Sequence, residues 1–160
     1  LVEILSPARL EEDLEMLSSW YPHNLELKLS TGNHKLASEK NQEALAVFEA
    51  ACRDFPTSDG AHAGRGKALR QLGRTEEAIL SFKRALELAS EANENYDCLF
   101  AIYHGLDKEE ELLAWYEDRV LIDTRNTLLL HHMDELAQML GLAARVKEIR
   151  SRIEEIEMSD

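Results

Sequence analysis

The side chains in this sequence that could bind a metal or attack a substrate are few and poorly spaced for either task. His131 and His132 are adjacent, with His104 upstream. Neighbouring residues on a helix point about 100° apart, so the adjacent pair cannot easily share one ion. Cys52 and Cys98 lack the CxxC spacing of a metal or redox site and read as two small core residues. The acids Asp134-Glu135, Glu109-Glu110-Glu111 and Glu154-Glu155 suit helix starts and exposed faces better than a general acid and base. No GxSxG, P-loop, GxGxxG or HExxH pattern occurs. The expectation is no catalytic residue, no metal, no cofactor and no enzyme.

Binding chemistry is better represented. Arg65, Lys67, Arg70 and Arg74 crowd into one predicted helix of a chain with 18 Lys plus Arg against 31 Asp plus Glu, a formal charge of −13. Such a cluster can hold an acidic or phosphorylated segment, and the plainer alternative is a solvated helix face. The overall charge repels a phosphate backbone, so nucleic acid is not expected as a partner. No apolar stretch reaches the length of a membrane span, so membrane insertion is not expected either. Leu1-Val2-Glu3 lacks the basic start of a signal peptide, which points to a cytoplasmic location. The absent initiator Met suggests a piece of a longer chain.

The elements that must carry these residues are helices. Three prolines and seven glycines punctuate the chain, 44% of it is hydrophobic and 31% charged, and good helix formers dominate. An internal repeat organises them. Gly32, Ala44, Phe48, Ala51 and Pro56 recur 34 residues later as Gly66, Ala78, Phe82, Ala85 and Ser90. The same step continues in weaker form to Leu112, Tyr116, Arg119 and Thr124, and places Gly141 under Gly73. Backward, it lands on Leu10, Leu14, Leu17 and Pro22. The expected division of a single domain is a half-unit over 1–24, repeats over 25–58 and 59–92, and degenerate repeats over 93–126 and 127–160, the last ending in a capping helix.

Local signals set the helix limits. Asn41 and Thr75 are predicted N-caps with acids in the following turn, and Ser6 precedes Pro7 at a first helical position. Pro22 and Pro56 forbid continuation of second helices. Two helices approach to about 8–10 Å where small residues meet, so Gly66 is expected to face Ala78 and Ala85, with Phe82 filling space toward the next pair.

This period and these residues resemble the tetratricopeptide repeat, whose pattern carries Gly at its eighth position, Ala at the twentieth and twenty-seventh, an aromatic at the twenty-fourth and Pro at the thirty-second. The unit from Asp59 fits best, with Gly66, Gly73, Ala78, Phe82 and Ala85, although His62 replaces an early aromatic and Ser90 the final Pro. The resemblance implies an all-α fold, a right-handed superhelix of antiparallel helix pairs, and a protein or peptide partner held in a concave groove lined by first helices. Groove positions carried over are Glu26, Leu29, Asn33 and Leu36, then Ala63, Lys67 and Arg70. Glu94, Asp97, Ala101 and His104 follow, then Leu128, His131, Glu135 and Gln138. Asn33, Lys67, Arg70, Asp97 and His104 are the expected partner-binding residues.

Some members of that family grip a peptide's terminal carboxylate through a Lys, Asn, Asn, Lys and Arg clamp. Here Asn33 matches, while Leu29, Gly64, Glu94 and Cys98 occupy the other places. A chaperone-tail receptor binding an EEVD-like terminus is therefore not expected. The alternative to groove binding is self-association or docking within a larger protein through the terminal helices. Val146, Ile149, Ile153 and Ile156 make an apolar stripe suited to it, and Ile149, Ile153 and Ile156 are the residues expected to carry a homo-oligomer contact.

Overall fold

A computed structural model describes residues 7–159 and shows helices joined by short turns, with no strand among the described residues. In chain order they are α1 (Pro7–Trp20), α2 (Leu25–Ala37), α3 (Asn41–Asp54), α4 (Asp59–Gln71), α5 (Thr75–Leu88), α6 (Asn93–His104), α7 (Glu109–Ile122), α8 (Thr127–Met139) and α9 (Ala143–Glu157). The chain divides into two compact units, Leu1–Leu88 and Ala89–Asp160. The expected cap Ser6 lies outside the described residues.

In the first unit α2 pairs with α3 and α4 with α5, and α1 lies against α2. The core is Ala44, Leu45, Phe48, Ala51, Ala61, Ala68, Leu69, Ala78, Phe82, Ala85 and Leu86, each almost wholly excluded from water. Burying one such phenylalanine contributes about 2–3 kcal/mol. The glycines make room for it. A Cβ on Gly32 would sit 2.5 Å from Phe48 Cζ, and one on Gly64 only 2.1 Å from Phe48 Cε1, so the ring fits between α2 and α4 because both lack side chains there. Gly66 meets the ring of Phe82, whose Cε1 would be 3.0 Å from an added Cβ, so the aromatic itself occupies the close approach expected for the alanines.

Ion pairs bind the surface of the same unit. Lys35 on α2 is buried and reaches Glu43 at 2.7 Å, Glu15 at 3.5 Å and Glu11 at 3.7 Å, while Lys40 also pairs with Glu11. A buried ammonium is costly unless several carboxylates meet it, as three do here. Lys28 and His23 converge on Asp54 at 3.2 and 3.4 Å.

In the second unit α6 pairs with α7, α7 with α8 and α8 with α9. Tyr96, Leu99, Leu112, Tyr116, Leu129, Leu130 and Leu136 are its most deeply buried large side chains. The pairing of α6 with α7 is much sparser than that of α4 with α5. Bulk explains it, because Leu112 stands at the repeat position of Ala78, and Phe100 at that of Gly66. Ser90, in place of the family proline, becomes a hub: its carbonyl accepts from Tyr96 Oη at 3.1 Å and Asn126 Nδ2 at 3.4 Å, and its hydroxyl donates to Asp123 at 3.1 Å.

Helix ends correct the expected caps. Asn41 and Thr75 are the first residues of their helices rather than caps; Lys40 occupies the cap before Asn41 without a side-chain bond, and Asn41 Oδ1 is buried without a partner. The side-chain caps lie on first helices instead. Asn24 accepts from Leu27 N at 2.9 Å, Ser58 from Ala61 N at 3.2 Å and Asn126 from Leu129 N at 2.8 Å. First helices end in left-handed residues at one repeat position: Glu39 (φ 59°), Gly73 (φ 73°), Asp107 (φ 54°) and Gly141 (φ 71°). At each, the next amide returns to the carbonyl five residues back: Lys40 to Lys35, Arg74 to Leu69, Lys108 to Tyr103 and Leu142 to Ala137. This is the Schellman closure, which satisfies carbonyls that would otherwise be orphaned.

Candidate functional site

The residues expected to bind a partner fall on first helices of both units. In the first, Asn33 is exposed on α2 and Arg70 on α4, with Lys67 half-buried one turn before Arg70 on the same face. The four-residue basic cluster does not survive as one surface. Arg74 lies beyond the end of α4 and forks onto Glu77, with Nε and Nη2 each 2.7 Å from a carboxylate oxygen. Arg65 is turned by helical periodicity away from Lys67 and Arg70, and its Nε is buried without a hydrogen bond. Leu29 is spent on packing, since its Cδ1 lies 3.2 Å from where a Cβ on Gly60 would be.

In the second unit Asp97 and His104 are exposed on α6. His104 Nδ1 donates to Glu109 Oε1 at 2.5 Å, a bond that holds the Glu109 carboxyl below its ordinary range. The His104 ring stacks on Phe100 with centroids 5.6 Å apart and planes 6° from parallel. Beside them opens a cavity of about 410 Å³, lined by Asp97 and Phe100 of α6, Tyr116 of α7, and His132, Glu135, Leu136, Gln138 and Met139 of α8. Asp97, Glu135 and Gln138 are groove positions of the family pattern.

The repeat register explains why a cavity forms here. Phe48, Phe82 and Tyr116 share one repeat position; Gly32, Gly66 and Phe100 share a second; Gly64, Cys98 and His132 share a third. Phe48 is clasped by glycine on both sides. Tyr116 instead shares its surroundings with Phe100 and His132, two rings where two hydrogens stand around Phe48. Helices carrying rings at those places cannot close on the tyrosine, and the space left is the cavity. Tyr116 is only 1% exposed, yet its hydroxyl has no hydrogen-bond partner. Burial, then the nearby Tyr96, Asp97, Tyr103 and Glu135, push the phenol strongly up, so it stays protonated. His132 stacks on Tyr96 with centroids 4.7 Å apart, and its Nε2 donates to Asn93 Oδ1 at 2.7 Å. Burial lowers its pKa against the opposing pull of Asp97 and Glu135, which favours the neutral ring. Sequence reasoning noted Gly32 and Gly66 but passed over Phe100 and weighed His132 only as a metal ligand, and these two substitutions are the ones that advertise the cavity.

The remaining candidates have structural uses. His62 Nε2 donates to Pro56 O at 3.0 Å, which leaves Nδ1 to accept from the Cys52 thiol at 3.7 Å. Burial pushes that thiol up, the opposite of what a nucleophile or metal ligand requires. Cys98 is buried. Among the described residues no group of three or more His, Cys, Asp or Glu is placed to hold a metal ion. Of the isoleucine stripe, Ile149 and Ile153 are 3% and 7% exposed in the chain's own core and Ile156 is half-buried. No described helix is long and apolar enough to cross a membrane.

Comparison with known proteins agrees with this architecture. Residues 29–93 match the family model for the tetratricopeptide repeat. A search of curated proteins by sequence finds no match. Among solved structures, MamA superposes with a TM-score of 0.65 at 17% identity, covering 96% of this chain and 90% of MamA. YrrB, described as a TPR protein with an unusual peptide-binding site, gives 0.64 at 15% identity over 91% of this chain and 75% of its own. A tetratricopeptide repeat protein from Parabacteroides merdae gives 0.63 at 20% identity over 94% of this chain and 60% of its own.

Proposed function

We propose that this chain, a tetratricopeptide-repeat protein, is a non-catalytic scaffold that binds a protein or peptide through the exposed faces of its first helices. The observation that carries the reading is the division of labour within each helix pair. Second helices supply Phe48, Phe82 and Tyr116 to the interior, while first helices leave Asn33, Arg70, Asp97 and His104 in water and Lys67 at its edge. A backbone held in rigid helices loses little freedom on binding, which favours recognition of a partner.

The test is selection of peptides from a displayed library against the whole chain, followed by fluorescence anisotropy of a selected peptide. Alanine at Asn33, Lys67, Arg70, Asp97 or His104 is compared with alanine at Arg84 and Glu87 on α5. Loss of about tenfold in affinity at one or more first-helix positions, with less than about twofold at the α5 controls, supports the reading. It fails if no peptide is enriched, or if bound peptides ignore all five residues.

Self-association is the second reading, favoured by Leu121 and Ile122, adjacent at the end of α7 and 74% and 73% exposed. Light scattering over a range of concentrations tests it. A mass that rises with concentration, and falls to the monomer in Leu121→Glu, would make assembly the primary role; a constant monomer mass removes it.

A further inference from the structure

The cavity between α6, α7 and α8 has a chemistry more specific than its fold. Its lining includes two carboxylates, Asp97 and Glu135, and three rings, Phe100, Tyr116 and His132, with no lysine or arginine. Both carboxylates lie close enough to Tyr116 and His132 to act on their ionisation. Tyr116, one of the lining residues, carries a hydroxyl that is buried and unpartnered. Unpartnered buried polar groups are uncommon in folded proteins, because each forfeits its bonds to water. The volume of about 410 Å³ falls in the range that holds a bound side chain or small ligand.

We propose that this cavity is a subsite for a cationic side chain, arginine above lysine, presented by a protein or peptide partner. The inference rests on the partner-binding reading above and names what one part of that partner must carry. A cation meets opposite charge at Asp97 and Glu135 and the negative faces of aromatic rings. A guanidinium fits better than an ammonium. It is planar, so it stacks on a ring while its spread donors bond a carboxylate. An apolar side chain in the same place would strip water from two carboxylates and return no hydrogen bond. An acidic one would face both carboxylates. The neutral His132, its Nε2 proton committed to Asn93, adds a ring and no competing charge. Phe100 is held for stacking by His104 on one face.

The experiment is an NMR titration of the whole chain, following amide and aromatic signals, with N-acetyl-arginine methylamide as the probe. The citrulline analogue, equal in shape but uncharged, and the lysine analogue are the controls. The proposal expects shifts confined to α6, α7 and α8, including the Tyr116 ring, saturating in the millimolar range. Citrulline should bind about tenfold more weakly and lysine about threefold. Asp97→Asn combined with Glu135→Gln should abolish the arginine response while leaving the rest of the spectrum unchanged. Equal shifts from citrulline and arginine, arginine shifts elsewhere in the chain, or a full response in the double variant would overturn it. The two readings fail separately. If the probe is silent while selected peptides still depend on first-helix residues, the subsite is wrong and peptide binding stands. If the probe binds as expected but no peptide is enriched, the subsite stands and the peptide reading falls.

Discussion

Gly64→Ala sets two physical effects of opposite sign against each other. On helix propensity alone, alanine for glycine in the middle of α4 should stabilise the chain by about 1 kcal/mol. The structure predicts the reverse. The new Cβ would lie 2.1, 2.4 and 2.5 Å from Phe48 Cε1, Cδ1 and Cζ, where ordinary contact is 3.4–4 Å. The ring cannot retreat toward α2, because it is already packed on Gly32, where an added Cβ would lie 2.5 Å from Phe48 Cζ. It must leave its rotamer or push α2 and α4 apart, a cost of about 3 kcal/mol for overpacking of this severity. The net expectation is a loss of about 2 kcal/mol. Urea denaturation followed by far-UV circular dichroism measures it, and a double-mutant cycle with Phe48→Leu identifies the cause. Leucine is shorter and can turn aside, so the cycle should show a favourable coupling of about 1 kcal/mol or more. A Gly64→Ala variant more stable than the parent, or one whose cost simply adds to that of Phe48→Leu, would refute the reasoning.

Other outcomes follow from the helix ends and charged groups. Glu39 holds a left-handed conformation that costs an ordinary residue about 1–2 kcal/mol, so Glu39→Gly should raise stability by about 0.5–1 kcal/mol after the larger unfolded-state entropy of glycine is counted. Gly73→Ala should lower it by about 1 kcal/mol, both read from urea midpoints. The carboxyls of Glu11, Glu43 and Asp54 are held below their ordinary values by hydrogen bonds from Lys40, Lys35 and Lys28 respectively. Their stabilisation is therefore full above the unfolded values of 4.5, 4.5 and 3.8 and is lost as pH falls through the lower folded ones, so melting temperature should drop in that acid range, by an amount that solvent screening keeps small. His132 adds an earlier decline: its folded pKa is depressed, so the unfolded chain binds the extra proton first and stability falls as pH drops below 6.5, a slope that His132→Gln should remove. The Cys52 thiol, raised by burial, should alkylate with iodoacetamide at pH 8 about tenfold more slowly in the folded chain than in urea.

How much could be read from the chain alone depended on what each residue does in its own repeat. The helical hairpins were legible because glycine and phenylalanine recurring at one step mark close contact, as Gly32, Phe48, Gly66 and Phe82 do here. The caps were misplaced because an asparagine or threonine before acidic residues looks alike at any helix start. Only the packing showed that Asn24, Ser58 and Asn126 turn inward on their own amides while Asn41 does not. The left-handed ends at Glu39 and Asp107 carried no signal of their own and become visible only when aligned with Gly73 and Gly141. Charges close in sequence suggested one basic patch, yet helical rotation and the end of α4 scatter Arg65, Lys67 and Arg74 among different neighbours. The cavity was hidden in what looked like decay. Phe100 and His132 depart from the pattern, and a departure toward larger side chains at a close-contact position marks space held open between helices.

The left-handed ends also constrain how the chain can change in length. Residues 39, 73, 107 and 141 each turn a first helix into its partner at the same point of the repeat. Loss of a single codon within α4 would either bring Arg74 to the left-handed position in place of Gly73 or, with Gly73 held there, rotate the contacts before the deletion by about 100°. Substitution is absorbed residue by residue, as Glu39 and Asp107 show, but a frame of one or two residues is not. Lineages of this sequence should therefore drift freely in letters while conserving the count between elbows. Natural insertions should gather in the segments that link one helix pair to the next.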